Sequence, residues 1–154
     1  MMNGKICTFF GHRDCPASIR SSLRAVLISL IETEGVTSFF VGNQGAFDAA
    51  AQSVLRDLQS QYPDITCTVV FAYMPRKPEP YGLATMLPEG IEKVPKRFAI
   101  SWRNRWMLDH ADCVVTYVTH AWGGAAQFAT RARKQGKRVY PLGEESVGYP
   151  QALT

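Results

Sequence analysis

Short apolar runs alternate with longer stretches whose apolar residues recur every three or four positions, and this alternation constrains the chain more than any other feature. Lys5–Phe10 (KICTFF) is an apolar run closed by Gly11, the signature of a buried strand. Pro16 then stands where a helix begins, with Asp14 or Cys15 as its N-cap. Ile19, Leu23, Val26, Leu27, Leu30 and Ile31 return at helical spacing, and Gly35 ends that helix. Thr37–Val41 (TSFFV) reads as a second strand, closed by Gly42. Phe47, Ala50, Ala51, Val54, Leu55 and Leu58 mark one face of a second helix, and Pro63 precedes a third strand, Ile65–Tyr73 (ITCTVVFAY), rich in β-branched residues.

Strand, helix, strand, helix, strand calls for a parallel pairing, because parallel strands need a long crossover. The expected fold class is α/β: a doubly wound, mostly parallel sheet of about five strands with helices on both faces. The chain has 154 residues, which suits one domain. That domain is expected over residues 1–143, with residues 144–154 as a C-terminal tail. The regular pattern breaks at residues 74–96, which hold five of the nine prolines and show no periodicity. A loop that long in a compact domain is usually functional, and it is expected near the pocket. Arg97–His110 then reads as a helix, Asp112–Val118 as a strand, Trp122–Gln135 as a helix and Lys137–Leu142 as the fifth strand.

Charge is unevenly placed. The formal net charge is +4, and residues 74–105 hold seven Lys/Arg against three Glu. A local basic patch points to an anionic partner or to a solvated basic face. Within it, Phe98, Trp102 and Trp106 fall on one helical stripe with Arg103, Asn104 and Arg105 between them. The stripe is either core-facing with the basic residues in water, or part of a basic wall over the pocket. Cys7, Cys15, Cys67 and Cys113 show no metal-binding spacing and are expected to be reduced thiols, mostly buried. No metal or cofactor is expected. No apolar run reaches the roughly 18 residues of a membrane span, and the opening residues read as a strand, so a cytoplasmic protein is expected.

In open α/β sheets the ligand sits beyond the carboxyl ends of the strands. Three such ends carry unusual residues here: Gly11-His12-Arg13-Asp14, Gly42-Asn43-Gln44-Gly45 with Asp48 a turn later, and Thr119-His120-Ala121-Trp122-Gly123-Gly124. Each precedes a helix N-terminus, where free N–H groups and the helix dipole favour an anion. Gly11, Arg13, Gly42, Gly45, Gly123 and Gly124 are expected to form a phosphate-facing floor. Asn43 and Asp48 are placed on ribose or base, His12 and Arg103 on the anionic part, and Thr119 at the same edge. G-x-G-x-x-G, G-x-x-x-x-G-K-[ST] and G-x-S-x-G are all absent. Cys15 lacks the Arg six residues on that a phosphate-loop nucleophile needs, since position 21 is Ser21.

FFGHR (Phe9–Arg13), FVGNQGAFD (Phe40–Asp48), RNRWMLDHADCVVTYV (Arg103–Val118) and Gly123-Gly124 together resemble the SLOG superfamily. These are Rossmann-like domains that include the LOG proteins and the DNA-processing protein DprA. The compact bacterial YpsA-like branch is the nearest likeness, and it spans Lys5 to Leu142. The resemblance implies a pocket for a nucleotide or nucleotide-derived ligand, of ADP-ribose or nucleoside-phosphate type, in a sensor or binding protein that self-associates. It also implies an alternative, a hydrolase of the N-glycosidic bond. LOG enzymes carry P-G-G-x-G-T-x-x-E, and here Gly123 and Gly124 match while Thr130 stands at the catalytic Glu position. The basic segment supplies a second alternative, a domain that binds nucleic acid and whose affinity falls with salt.

Overall fold

The computed structural model describes residues 4–76 and 81–142. Six strands form one sheet: β1 (Lys5–Gly11), β2 (Val36–Val41), β3 (Thr66–Val70), β4 (Ala84–Met86), β5 (Cys113–Tyr117) and β6 (Arg138–Pro141). Four helices accompany them: α1 (Ile19–Glu32), α2 (Ala46–Gln61), α3 (Lys96–His110) and α4 (Gly124–Lys134). The strand order is β4-β3-β2-β1-β5-β6, and every pairing is parallel. The α/β doubly wound expectation therefore holds, with a sheet that is wholly parallel and one strand larger.

Side-chain alternation along β1 explains why helices cover both faces. Phe9 packs into the larger core with Leu23, Leu27, Phe39, Phe47 and Leu55, under α1 and α2. Phe10 points the other way, into a core with Val70, Met107, Leu108, Val114 and Phe128, under α3 and α4. Strands buried on both faces read as continuous apolar runs, as KICTFF does.

The extra strand is β4. Residues 74–96 were expected to be one loop, but Ala84–Met86 pairs with Thr68–Val70 and a short 3-10 turn follows at Ile91–Lys93. Three residues at a sheet edge carry too little alternation to show in a sequence. Residues 77–80 of that segment and the tail at 144–154 lie outside the described residues. The start of α1 also differs. Its N-cap is Ser18, without a side-chain cap bond, and Pro16 accepts a turn hydrogen bond from Ile19 N–H. The helix therefore begins one turn later than Pro16 suggests.

The aromatic stripe of α3 is not its core face. Ala99, Arg103 and Met107 are the buried line, while Phe98 is half exposed and lies under Arg97. Trp106 is only half-buried, against Phe40 and His110. The expectation of basic residues in water thus fails for Arg103, the largest fully buried side chain of the described residues.

Candidate functional site

The chain builds β2, β3 and β4 outward on one side of β1, then crosses to place β5 and β6 on the other. The carboxyl ends of β1 and β5 are thus the point where strand order reverses, and connections there diverge to leave a crevice. A cleft of about 520 Å³ lies there.

Three aromatic rings line its β1–β5 side. The His12 and His120 rings stack with centroids 3.7 Å apart and planes 13° apart. His120 stacks in turn on Trp122 at 3.8 Å and 22°. The ladder starts in the interior, where His12 is buried, and ends in an indole that is 69% exposed. His12 Nε2 and His120 Nδ1 are buried without a hydrogen-bond partner among the described residues, a costly arrangement that a bound polar group would relieve. Burial, and then the neighbouring His120, lower the His12 pKa, so the ring is neutral at neutral pH.

Trp122 leads into the N-terminus of α4. Gly123 caps it with φ 95°, no side chain caps it, and its first turn holds no acid. Added Cβ atoms at Gly123 and Gly124 would meet nothing within 4 Å, so this backbone is open to a ligand. The N-terminus of α2 differs. Asp48 lies in its first turn and accepts a hydrogen bond from Gln44 N–H at 2.9 Å, so that helix end already has its anion.

Arg103 and Asp48 close the opposite wall. Arg103 Nη1 donates to the Val70 carbonyl at 2.7 Å and Nε donates to Asn104 Oδ1 at 2.8 Å. Burial raises the Asp48 pKa to about 6, against the lowering by Gln44 N–H, Arg103 and Arg13. Gly42 lets the two groups converge: a Cβ there would stand 2.8 Å from Asp48 Oδ2 and 3.1 Å from the Arg103 guanidinium carbon.

Of the residues expected at the site, Gly11, His12, Arg13, Asp48, Arg103, Thr119, Gly123 and Gly124 line the cleft. Gly42, Asn43 and Gly45 stand behind the wall that Gln44 and Asp48 form. There the Gly42 carbonyl accepts from Gln52, and Gly45, with φ 92°, lies against the Arg13 backbone. Gly11 has a packing reason of its own, since a Cβ would fall 2.2 Å from the Phe47 ring. His120, Trp122 and Asn104 line the cleft and were not expected to bind. The signal for the ladder was a His after β1 and a His and Trp after β5, which meet only because these strands are neighbours. Among the described residues no group of three or more His, Cys, Asp or Glu could hold a metal ion, and no helix is long and apolar enough to cross a membrane.

No family model matches the chain, and no curated protein does. Among solved structures, DprA from Streptococcus pneumoniae is similar at a TM-score of 0.65 and 15% identity, over 94% of this chain and 52% of that one. DprA from Helicobacter pylori, described for its unique single-stranded DNA binding mode, is similar at 0.62 and 14%, over 92% and 66%. The likeness is one of fold and agrees with the DprA side of the sequence resemblance. The chain spans about half to two thirds of the length of these neighbours.

Proposed function

We propose that the switch-point cleft binds single-stranded nucleic acid, with a phosphate at the N-terminus of α4 and a base on the exposed face of Trp122. One observation carries this reading: a stack that runs from buried His12 to half-buried His120 ends in an exposed indole next to an uncapped helix N-terminus. Every base has a face to stack and every nucleotide has a phosphate, so this pairing suits a strand of any sequence. The fold likeness to a DprA with a single-stranded DNA binding mode supports it. So does the pairing of cations with aromatics at the start of α3, Lys96 over Tyr73 and Arg97 over Phe98.

Asp48 favours a second reading, a discrete nucleotide or nucleotide-derived ligand, bound or hydrolysed. It is a buried carboxylate on the cleft wall, suited to ribose hydroxyls. With its pKa raised to about 6 it is also tuned for proton transfer near neutrality. The proposal further takes the chain as a YpsA-like member of the SLOG superfamily that works as a cytoplasmic homo-oligomer.

Fluorescence anisotropy with a labelled oligothymidylate tests the lead reading. Affinity should fall steeply between about 50 and 200 mM salt. Trp122→Ala should weaken binding by about 1–3 kcal/mol and leave the thermal midpoint unchanged. Absent or salt-insensitive oligonucleotide binding, with a mononucleotide retained or cleaved in native mass spectrometry, would give the cleft to the second reading.

A further inference from the structure

A second hollow, of about 480 Å³, lies beside the first, between α3 and α4. Ser101 lines it from α3, and Gln127, Thr130, Arg131 and Lys134 line it from α4. These α4 positions are spaced three, four and seven apart, so they form one face of the helix. The opposite face, with Ala129 and Ala132, is buried, and Phe128, also buried, lines the hollow from its flank. The two hollows meet at one turn: Trp122 and Ala125 line the first, and Ala121 and Ala126 line the second.

We infer that a bound strand leaves the switch-point cleft along this groove, where Arg131 and Lys134 form a second phosphate subsite. The inference rests on the nucleic-acid reading above. Beside Ala121, Ala126 and Phe128, the groove is lined by two hydroxyls, an amide and two cations, without a carboxylate. Among the described residues neither cation forms an ion pair with an acid. Arg131 lies over the Phe128 ring at 5.3 Å, which holds its guanidinium at the groove wall. The helix dipole accounts for cations in the last turn of α4, but not for a hollow beside them whose lining residues Ala121 and Ala126 adjoin Trp122 and Ala125 of the cleft. From Gly124 to Lys134 the helix spans about 15 Å, so a short oligonucleotide fills the cleft alone and a longer one reaches the second subsite.

The test compares a thymidine dinucleotide with an oligothymidylate of about twelve nucleotides, on the wild type and on a chain carrying Arg131→Gln and Lys134→Gln. A second chain, with Lys5→Gln and Arg138→Gln at the amino ends of β1 and β6, controls for net charge. The groove variant should bind the dinucleotide as the wild type does and lose about tenfold or more on the longer strand. Its logarithmic salt slope there should shrink by about 1.4, or 0.7 for each lost phosphate contact. Equal losses at both lengths, or a loss on the longer strand no greater than the control's, would overturn the subsite and leave the cleft reading standing. Failure of the wild type to bind either length would overturn the cleft reading itself, and the subsite with it.

Discussion

Asp48 and His12 are two titratable side chains that burial pulls toward their neutral forms, with opposite consequences for stability. The Asp48 pKa rises from 3.8 to about 6 on folding. Its contribution is therefore present below pH 3.8 and lost as pH rises through about 6. Asp48→Asn, which keeps an acceptor for Gln44 N–H, should stabilise the protein above pH 6, by about 3 kcal/mol at most, and should change little at pH 3.5. Urea midpoints across that range would check it. His12 has a lowered pKa, so its contribution is present above its ordinary value of 6.5 and lost as pH falls below it. His12→Phe preserves the stack and should flatten that acid limb in the same titration. Arg103→Met should destabilise by about 1–3 kcal/mol, because the Val70 carbonyl loses its charged donor in a buried place. Equilibrium unfolding would read that loss directly. Residues that depend on a local pattern, such as Gly11, Arg13 and the glycine pair before α4, line the cleft where the sequence places them, whereas Gly42 and Gly45 do not. The ladder was not, since no local pattern says that His12 and His120 share a face.

Among elements, the strands and helices buried on one plain period were readable, and the exceptions have identifiable causes. β1 and α2 came through because KICTFF is apolar but for Lys5 and Thr8 and α2 repeats Phe47, Ala51, Val54, Leu55 and Leu58 on its buried side. α3 misled because its buried line contains Arg103, a residue that burial patterns place in water, while its aromatics flank that line. β4 left no signal because it is an edge strand of three residues. The contact between β1 and α2 is tighter than either pattern reveals. Gly11→Ala would drive a methyl into the Phe47 ring and should cost about 1–3 kcal/mol through overpacking. Phe47→Leu in the same chain should recover part of that loss. A double-mutant cycle in urea would measure the coupling, and simple additivity would show that the contact is not the cause.

For the whole molecule, sheet order was the step that sequence could not supply. The alternation of strands and helices names a parallel sheet but not the neighbour of β1 across the switch point. That neighbour decides which strand ends form the cleft, and so which glycines and histidines meet. The β1–β5 junction also ties distant parts of the chain. Ile6 N–H donates to the Asp112 carboxylate at 2.8 Å across 106 positions, and Asp112 N–H donates back to the Ile6 carbonyl at 2.7 Å. Closing so long a loop is slow relative to local structure. Pulse-labelled hydrogen exchange during refolding should show the Ile6 and Asp112 amides gaining protection together, after those of α1. Earlier protection of Ile6 alone would contradict this order. A ribosome delivers residues in sequence, so β1 to β4 emerge with half a cleft and no partner for His12. On the nucleic-acid reading proposed above, binding capacity would switch on only once β5 and the start of α4 have arrived, and a strand held in the cleft would certify that synthesis has passed β5.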